Sequence, residues 1–194
     1  MSEALAAVGA VRHDPEDREG PYTMGLVALL ATVGMLFAAF TAALFMRRTG
    51  SDWTSVALPS AVWINTLFLI GSSLTVELSR AAIRRDAPGT AAARLRASLV
   101  LGTLFLIGQV AAWSILARQG VFLPSSPNAS FFYMLSAVHG LHVLGGLGAL
   151  LWVRNRTRQG AYSGTRHRGI DHAAIYWHFV GAVWIYLFIL LSIL

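Results

Sequence analysis

Phe131-Phe-Tyr-Met-Leu-Ser-Ala-Val-His139-Gly-Leu-His142-Val-Leu-Gly-Gly146-Leu-Gly-Ala-Leu-Leu-Trp-Val153 decides the class of this chain. It is long enough to cross a bilayer as a helix, which takes about 20 predominantly apolar residues. It also holds two imidazoles. Ionisable groups at that depth are costly, so each needs a partner or a task. A second stretch of the same kind, Tyr176-Trp-His178-Phe-Val-Gly-Ala-Val-Trp184, lies in the last apolar run.

Working outward, four further runs of similar length mark spans: about 24–46, 59–79, 97–117 and 172–194, beside 131–153 itself. The chain is 56% hydrophobic and 12% charged, with mean hydropathy +0.60. A soluble domain carries roughly 25% charge. The reading is an all-α integral membrane bundle of five transmembrane helices over residues 24–194, preceded by a polar tail over 1–23. That tail holds Glu3, Asp14, Glu16, Asp17 and Glu19 and lacks a basic start followed by an apolar stretch, so it is not a cleavable signal. The first span is expected to act as a signal-anchor. There are no cysteines, which excludes disulfides, thiolate metal sites and iron–sulfur clusters.

All fifteen basic residues are arginine. Arg12 and Arg18 lie in the tail, Arg80, Arg84, Arg85, Arg94 and Arg96 between spans two and three, and Arg154, Arg156, Arg158, Arg166 and Arg168 between spans four and five. Only Arg47, Arg48 and Arg118 fall on the other side. Twelve against three places the N-terminus inside and the C-terminus outside. The arginines flank helices instead of forming one face, so anionic headgroups explain them better than nucleic acid does. Pro59 suits the first turn of the second helix, and Ala87-Pro88-Gly89 breaks the second loop. Trp53, Trp63, Trp152, Tyr162, Tyr176 and Trp177 fall near span ends, as an aromatic belt does.

His139 and His142 are three apart and share a helix face, continued by Gly145, Gly146 and Ala149. Small residues there admit a close neighbour. At 1.5 Å per residue, His142 sits about 17 Å and His178 about 9 Å from the inner end of their helices. Three readings stand for these imidazoles: hydrogen bonding across packed helices, contact with lipid phosphate or a water network, and metal or haem ligation. The last has least support, because no carboxylate or thiol is spaced to complete a site. Glu77, near the inner end of the second span, forms a polar stripe with Thr66 and Ser73. It is expected to snorkel and pair with Arg80 or Arg84, with a proton relay or lipid contact as the alternative. Asp171 reads as the N-cap of the fifth helix, ahead of His172. Gln109 and Trp113 read as packing residues of the third. His13 and His167 lie in polar segments and carry no inference. No nucleophile motif, phosphate-binding loop, interior aspartate or filter-like loop is present in the spans.

Four stretches together resemble the cytochrome c oxidase subunit 3 family, the third subunit of haem-copper oxidases, in a short five-helix form. Leu30-Ala-Thr-Val-Gly-Met-Leu-Phe-Ala-Ala-Phe-Thr-Ala-Ala-Leu-Phe-Met-Arg47 resembles the family's first retained helix. Trp63-Ile-Asn65-Thr66 running to Ser72-Ser73-Leu-Thr75 resembles its Asn-Thr and Ser-Ser-x-Thr pattern. His139-Gly-Leu-His142-Val resembles its His-Gly-x-His-Val, and Tyr176–Trp184 its terminal Trp-His-Phe-Val-Asp-x-Val-Trp. Two positions depart. The family's Ser-Glu pair reads Thr32-Val33 here, and its terminal aspartate is Gly181, so a proton-related role tied to those carboxylates loses its groups.

The resemblance implies a subunit with no redox centre of its own. Haem and copper would lie in partner subunits. It implies packing against the catalytic haem-copper subunit I, with subunit II in the same complex, and phospholipids enclosed in a cleft. It implies support for oxygen reduction in aerobic electron transport in a bacterial-type plasma membrane. His139, His142, His178, Glu77, Arg80, Arg84 and Arg154 are the expected lipid or interhelix polar contacts. An accessory subunit of a quinol oxidase or nitric oxide reductase is the alternative within the same chemistry. A small stand-alone transporter is the alternative outside it.

Overall fold

Alternation of apolar runs with arginine-rich turns gives five helices and, among the described residues, no strands. The structure is a computed structural model describing residues 19–53 and 59–193. Arg12, His13 and Arg18 lie outside the described residues. The helices are α1 (Glu19–Arg48), α2 (Ala61–Arg84), α3 (Pro88–Arg118), α4 (Pro127–Arg158) and α5 (Arg168–Ser192). All five are long and apolar enough to cross a membrane. Most run beyond their apolar cores into arginine-bearing turns, because a helix keeps its backbone hydrogen bonds satisfied wherever the chain continues it.

The ends follow local chemistry. Pro88 and Pro127 open α3 and α4, where a missing N–H costs nothing. Pro88 therefore starts a helix instead of merely breaking a loop. Pro59 lies just before α2, whose N-cap is Ser60. Ser126 caps α4 by accepting from the Ala129 N–H at 3.2 Å. Gly120 and Gly160 follow α3 and α4 with φ of 80° and 73°. Val121 N–H then reaches back to the Leu116 carbonyl, and Ala161 N–H to Arg156, closing the helix ends. Asp86 does the same after α2 at φ 52°, without being glycine. Its carboxylate accepts the Gly164 N–H at 2.6 Å, which ties the α2–α3 turn to the α4–α5 loop.

Helices α2, α3, α4 and α5 form a ring in which each touches its sequence neighbour and α5 closes back onto α2. Helix α1 packs outside this ring on α4 and α5, and among the described residues makes no contact with α2 or α3. Burial follows: half of the most apolar stretch of α5 is buried but only 17% of that of α1. Trp177 and Trp184 of α5 are fully buried in the ring. Trp177 thus departs from the aromatic-belt expectation. Its ring lies between Gly102 of α3 and Gly146 of α4, where a Cβ would come within 2.8 Å of the indole. The small face of α4 accommodates a large side chain instead of a bare helix backbone. Trp63 and Trp152 stay more than half exposed, as belt residues do.

Candidate functional site

The polar residues sort into three places. The first is an ionic chain between α2 and α5. His178 Nε2 lies 2.6 Å from Glu77 Oε1, and Arg80 Nη1 donates to the same oxygen at 2.8 Å. Arg80 Nε donates to Asp171 Oδ1 at 2.7 Å. Arg84 and His167 approach the Asp171 carboxylate at 3.5 and 3.4 Å. Glu77 pairs with Arg80 as its spacing predicts, and Arg84 finds a different carboxylate. Asp171 is not the N-cap. Helix α5 begins four residues ahead of the expected His172, with His167 at the cap and Asp171 in the first turn. There the carboxylate complements the helix dipole and still reaches α2.

Beyond Glu77 and His178 the same two helices open a groove of about 340 Å³. Thr66, Ser73 and Glu77 line it from α2, and His178, Gly181 and Trp184 from α5. The polar stripe read from the sequence is one wall of this groove. A Cβ at Gly181 would sit 3.4 Å from Ser73 Oγ, so position 181 is the point where a longer side chain would enter it. Thr66 Oγ1 accepts from Trp184 Nε1 at 3.0 Å inside the wall.

The second place is the centre of the ring. His139 is 1% exposed. Its ring meets Trp184 at 5.1 Å, Phe105 at 5.8 Å and Phe37 at 6.3 Å between centroids. Neither nitrogen has a hydrogen-bond partner among the described residues. His142, one turn on, is bound at Nδ1 to the Val138 carbonyl of its own helix at 2.8 Å and packs on Phe37 at 5.7 Å. So the two histidines share a face as read, but they hold α1 through Phe37 instead of bonding across helices. Val33 of α1, where the family's glutamate would stand, is buried in the same apolar contact layer. Gln109 and Trp113 do bond across helices, to Asn65 at 3.3 Å and Ser136 at 3.0 Å.

The third place is a groove of about 400 Å³ between α1, α4 and α5, lined by Leu29, Gly145, Ala149, Trp152, His172 and Tyr176 among others. Thr23 and His172 close its arginine-rich end at 3.4 Å. Arg154 lies elsewhere, on the α3 side of α4. Sequence reasoning missed Asp171 as an interhelix partner and His172 as a groove residue. Position in a first turn beside the arginine loops was the available signal for both.

The three imidazoles go to three different environments. Among the described residues no three His, Cys, Asp or Glu side chains converge on a point that could hold a metal ion. His139 presents its nitrogens to aromatic rings, His142 to its own backbone and His178 to a carboxylate.

Fold and site together define a class: a five-helix integral membrane bundle whose polar groups face one another, grooves and helix neighbours. The profile of the family described as Cytochrome c oxidase subunit III matches residues 20–193. Cytochrome c oxidase subunit 3 of Synechocystis sp. is 36% identical over 88% of this chain and 74% of its own length. That of Thermostichus vulcanus is 35% identical over 88% and 86%, and the probable subunit 3 of Mycobacterium leprae is 33% identical over 89% and 87%. The chain belongs to the cytochrome c oxidase subunit III family, a subunit of haem-copper oxidases.

Proposed function

We propose that this chain is the non-catalytic third subunit of a proton-pumping terminal oxidase in a bacterial-type plasma membrane, with its N-terminus inside. It packs beside the catalytic haem-copper subunit I, with subunit II in the same complex, and holds phospholipid against its own helices. Oxygen reduction takes place on the haem and copper of the partners. The observation that carries the reading is the family match over residues 20–193.

Within the chain, the groove between α1, α4 and α5 supports the lipid part of the role. Its walls are apolar along Leu26, Leu29 and Val153, and small at Gly145 and Ala149. That is a cross-section for an acyl chain. Trp152 and Tyr176 supply amphipathic rings at its side. His142 and Phe37 brace α1, which forms one wall. The Glu77–His178 and Arg80–Asp171 pairs lock α2 to α5 and so present the rest of the ring as a rigid body to subunit I.

The test is purification of the tagged chain in mild detergent. Haem absorbance is expected to elute with it, carried by the partners. A monodisperse homo-oligomer free of haem overturns the reading. In the intact complex, His142→Ala is expected to speed inactivation during turnover or loosen subunit association while the haem spectrum stays unchanged. A lost or shifted haem band would instead make His142 a ligand.

A further inference from the structure

The two sides of the ring treat their arginines differently. Between α2 and α5, Glu77 and Asp171 answer Arg80 and Arg84. Helices α3 and α4 contain no carboxylate at all, yet carry Arg94, Arg96, Arg154, Arg156 and Arg158 at the same end. Arg156 lies over the Trp152 ring at 5.9 Å. Arg154 is half-buried; among the described residues its Nε, shielded from solvent, has no partner, and its Nη1 has a long 3.5 Å contact to Asn155 Oδ1. A buried guanidinium N–H without an acceptor is costly, and in the bilayer interface water meets that need only in part.

Arg154 and Arg96 stand at a groove of about 450 Å³ between α3 and α4. The remainder of its lining is Leu99, Val100, Thr103 and Leu104, one stripe of α3 running away from the arginines toward mid-membrane. The Thr103 hydroxyl donates to the Leu99 carbonyl at 2.8 Å, which satisfies the one polar group of the stripe. Two guanidinium groups above an apolar furrow match one kind of molecule: a phosphate anion with a hydrocarbon tail. Arginine's fork suits phosphate oxygens in pairs, and its charge adds to the attraction.

We propose that Arg96 and Arg154 bind the phosphate of an anionic phospholipid whose acyl chain lies along Leu99, Val100 and Leu104. This site is on the opposite flank of α4 from the groove beside α1. It does not rest on the oxidase role proposed above.

The experiment uses the full chain with whatever subunits co-purify in mild detergent, in phosphatidylcholine nanodiscs doped with a photoactivatable phosphatidylglycerol bearing a diazirine in its acyl chain. Crosslinks are mapped by mass spectrometry. The expected result is labelling over 99–104, about tenfold above that from a phosphatidylcholine probe with the same diazirine. Arg96→Gln should lower it, and R96Q/R154Q should lower it about tenfold. Arg96 is solvent-exposed, so the single variant tests the site even if the double variant does not assemble. Excess inorganic phosphate should leave the labelling unchanged. Equal labelling by the two lipids, or undiminished labelling in R96Q, overturns the proposal. Displacement by inorganic phosphate overturns it in favour of a free-anion site. Loss of this chain from the complex in R96Q overturns it in favour of a partner's carboxylate. Haem absorbance of the same preparation reports assembly separately, so failure of the oxidase reading is read apart from failure of this one.

Discussion

His139 and Trp177 occupy the ring on opposite terms. Trp177 has a slot cut by glycine, and a methyl group at Gly146 or Gly102 would lie 2.8 Å from its indole. Gly148, on the same helix as Gly146, has nothing within 4 Å of such a methyl. Gly146→Ala is therefore expected to destabilise by about 1–3 kcal/mol through overpacking, while Gly148→Ala leaves stability unchanged or raises it slightly. Thermal unfolding of the purified complex, followed by release of this chain, separates the two; equal behaviour would remove the slot as the reason for glycine. His139 has no such fit, since two polar nitrogens lie among Trp184, Phe105 and Phe37 with no acceptor or donor among the described residues. A buried group with no hydrogen-bond partner loses nothing when replaced by a hydrocarbon of similar volume. His139→Leu should leave the unfolding midpoint equal or higher and the haem bands unmoved. A loss above about 2 kcal/mol would show that His139 bonds a group from outside the chain.

The contact of α2 with α5 depends most on Asp171, which gathers Arg80, Arg84 and His167 and has a side chain 20% exposed. Glu77 serves Arg80 and His178 with a side chain 47% exposed. Asp171→Asn should cost about 2 kcal/mol, whereas Glu77→Gln should stay within about 1 kcal/mol, because solvent screens the more exposed pair. Chemical unfolding of the two variants side by side checks the order, and the reverse order would contradict the geometry. At the far end, Asp52 holds Arg47 through both carboxylate oxygens just beyond α1. The side-chain bond from Arg47 keeps the Asp52 carboxyl below its ordinary value. A carboxyl with a lowered folded value adds stability above the unfolded pKa of about 3.9, and that stability is lost as pH falls through the folded value. Hydrogen-exchange protection at Gly50 and Trp53, taken relative to the intrinsic amide rate at each pH, should hold at neutral pH and fall only below about pH 4. Protection that is flat across that range would remove the pair as the clasp of this turn. The Glu77–Arg80 pair was legible because both partners lie one turn apart on one helix. The Arg84–Asp171 and Trp184–Thr66 contacts were not, since they join residues 87 and 118 positions apart, and only the closure of α5 onto α2 brings them together.

At the scale of the whole molecule, the class was legible from length and hydropathy, because bilayer thickness sets how long an apolar run must be. The arrangement was not. Nothing in Met24–Met46 marks it as the peripheral helix, since an apolar surface looks alike whether it meets lipid or protein; the position follows from which faces of α4 and α5 remain open once the ring has closed. The ring also places the Arg80–Arg96 and Arg154–Arg168 segments at one end, joined by Asp86 and Gly164, and the Arg47–Asp52 turn with Arg118 at the other. This division carries the last prediction. Arginine excess marks the inner side, so residue 165 should face the cytoplasm and residue 51 the outside. The sequence contains no cysteine, and Ser51 and Thr165 are both exposed, so Ser51→Cys and Thr165→Cys each introduce one readable thiol. In intact cells a membrane-impermeant maleimide should label Ser51→Cys, and Thr165→Cys only after permeabilisation. The opposite pattern would invert the protein in the membrane and put the Arg96–Arg154 groove in the outer leaflet.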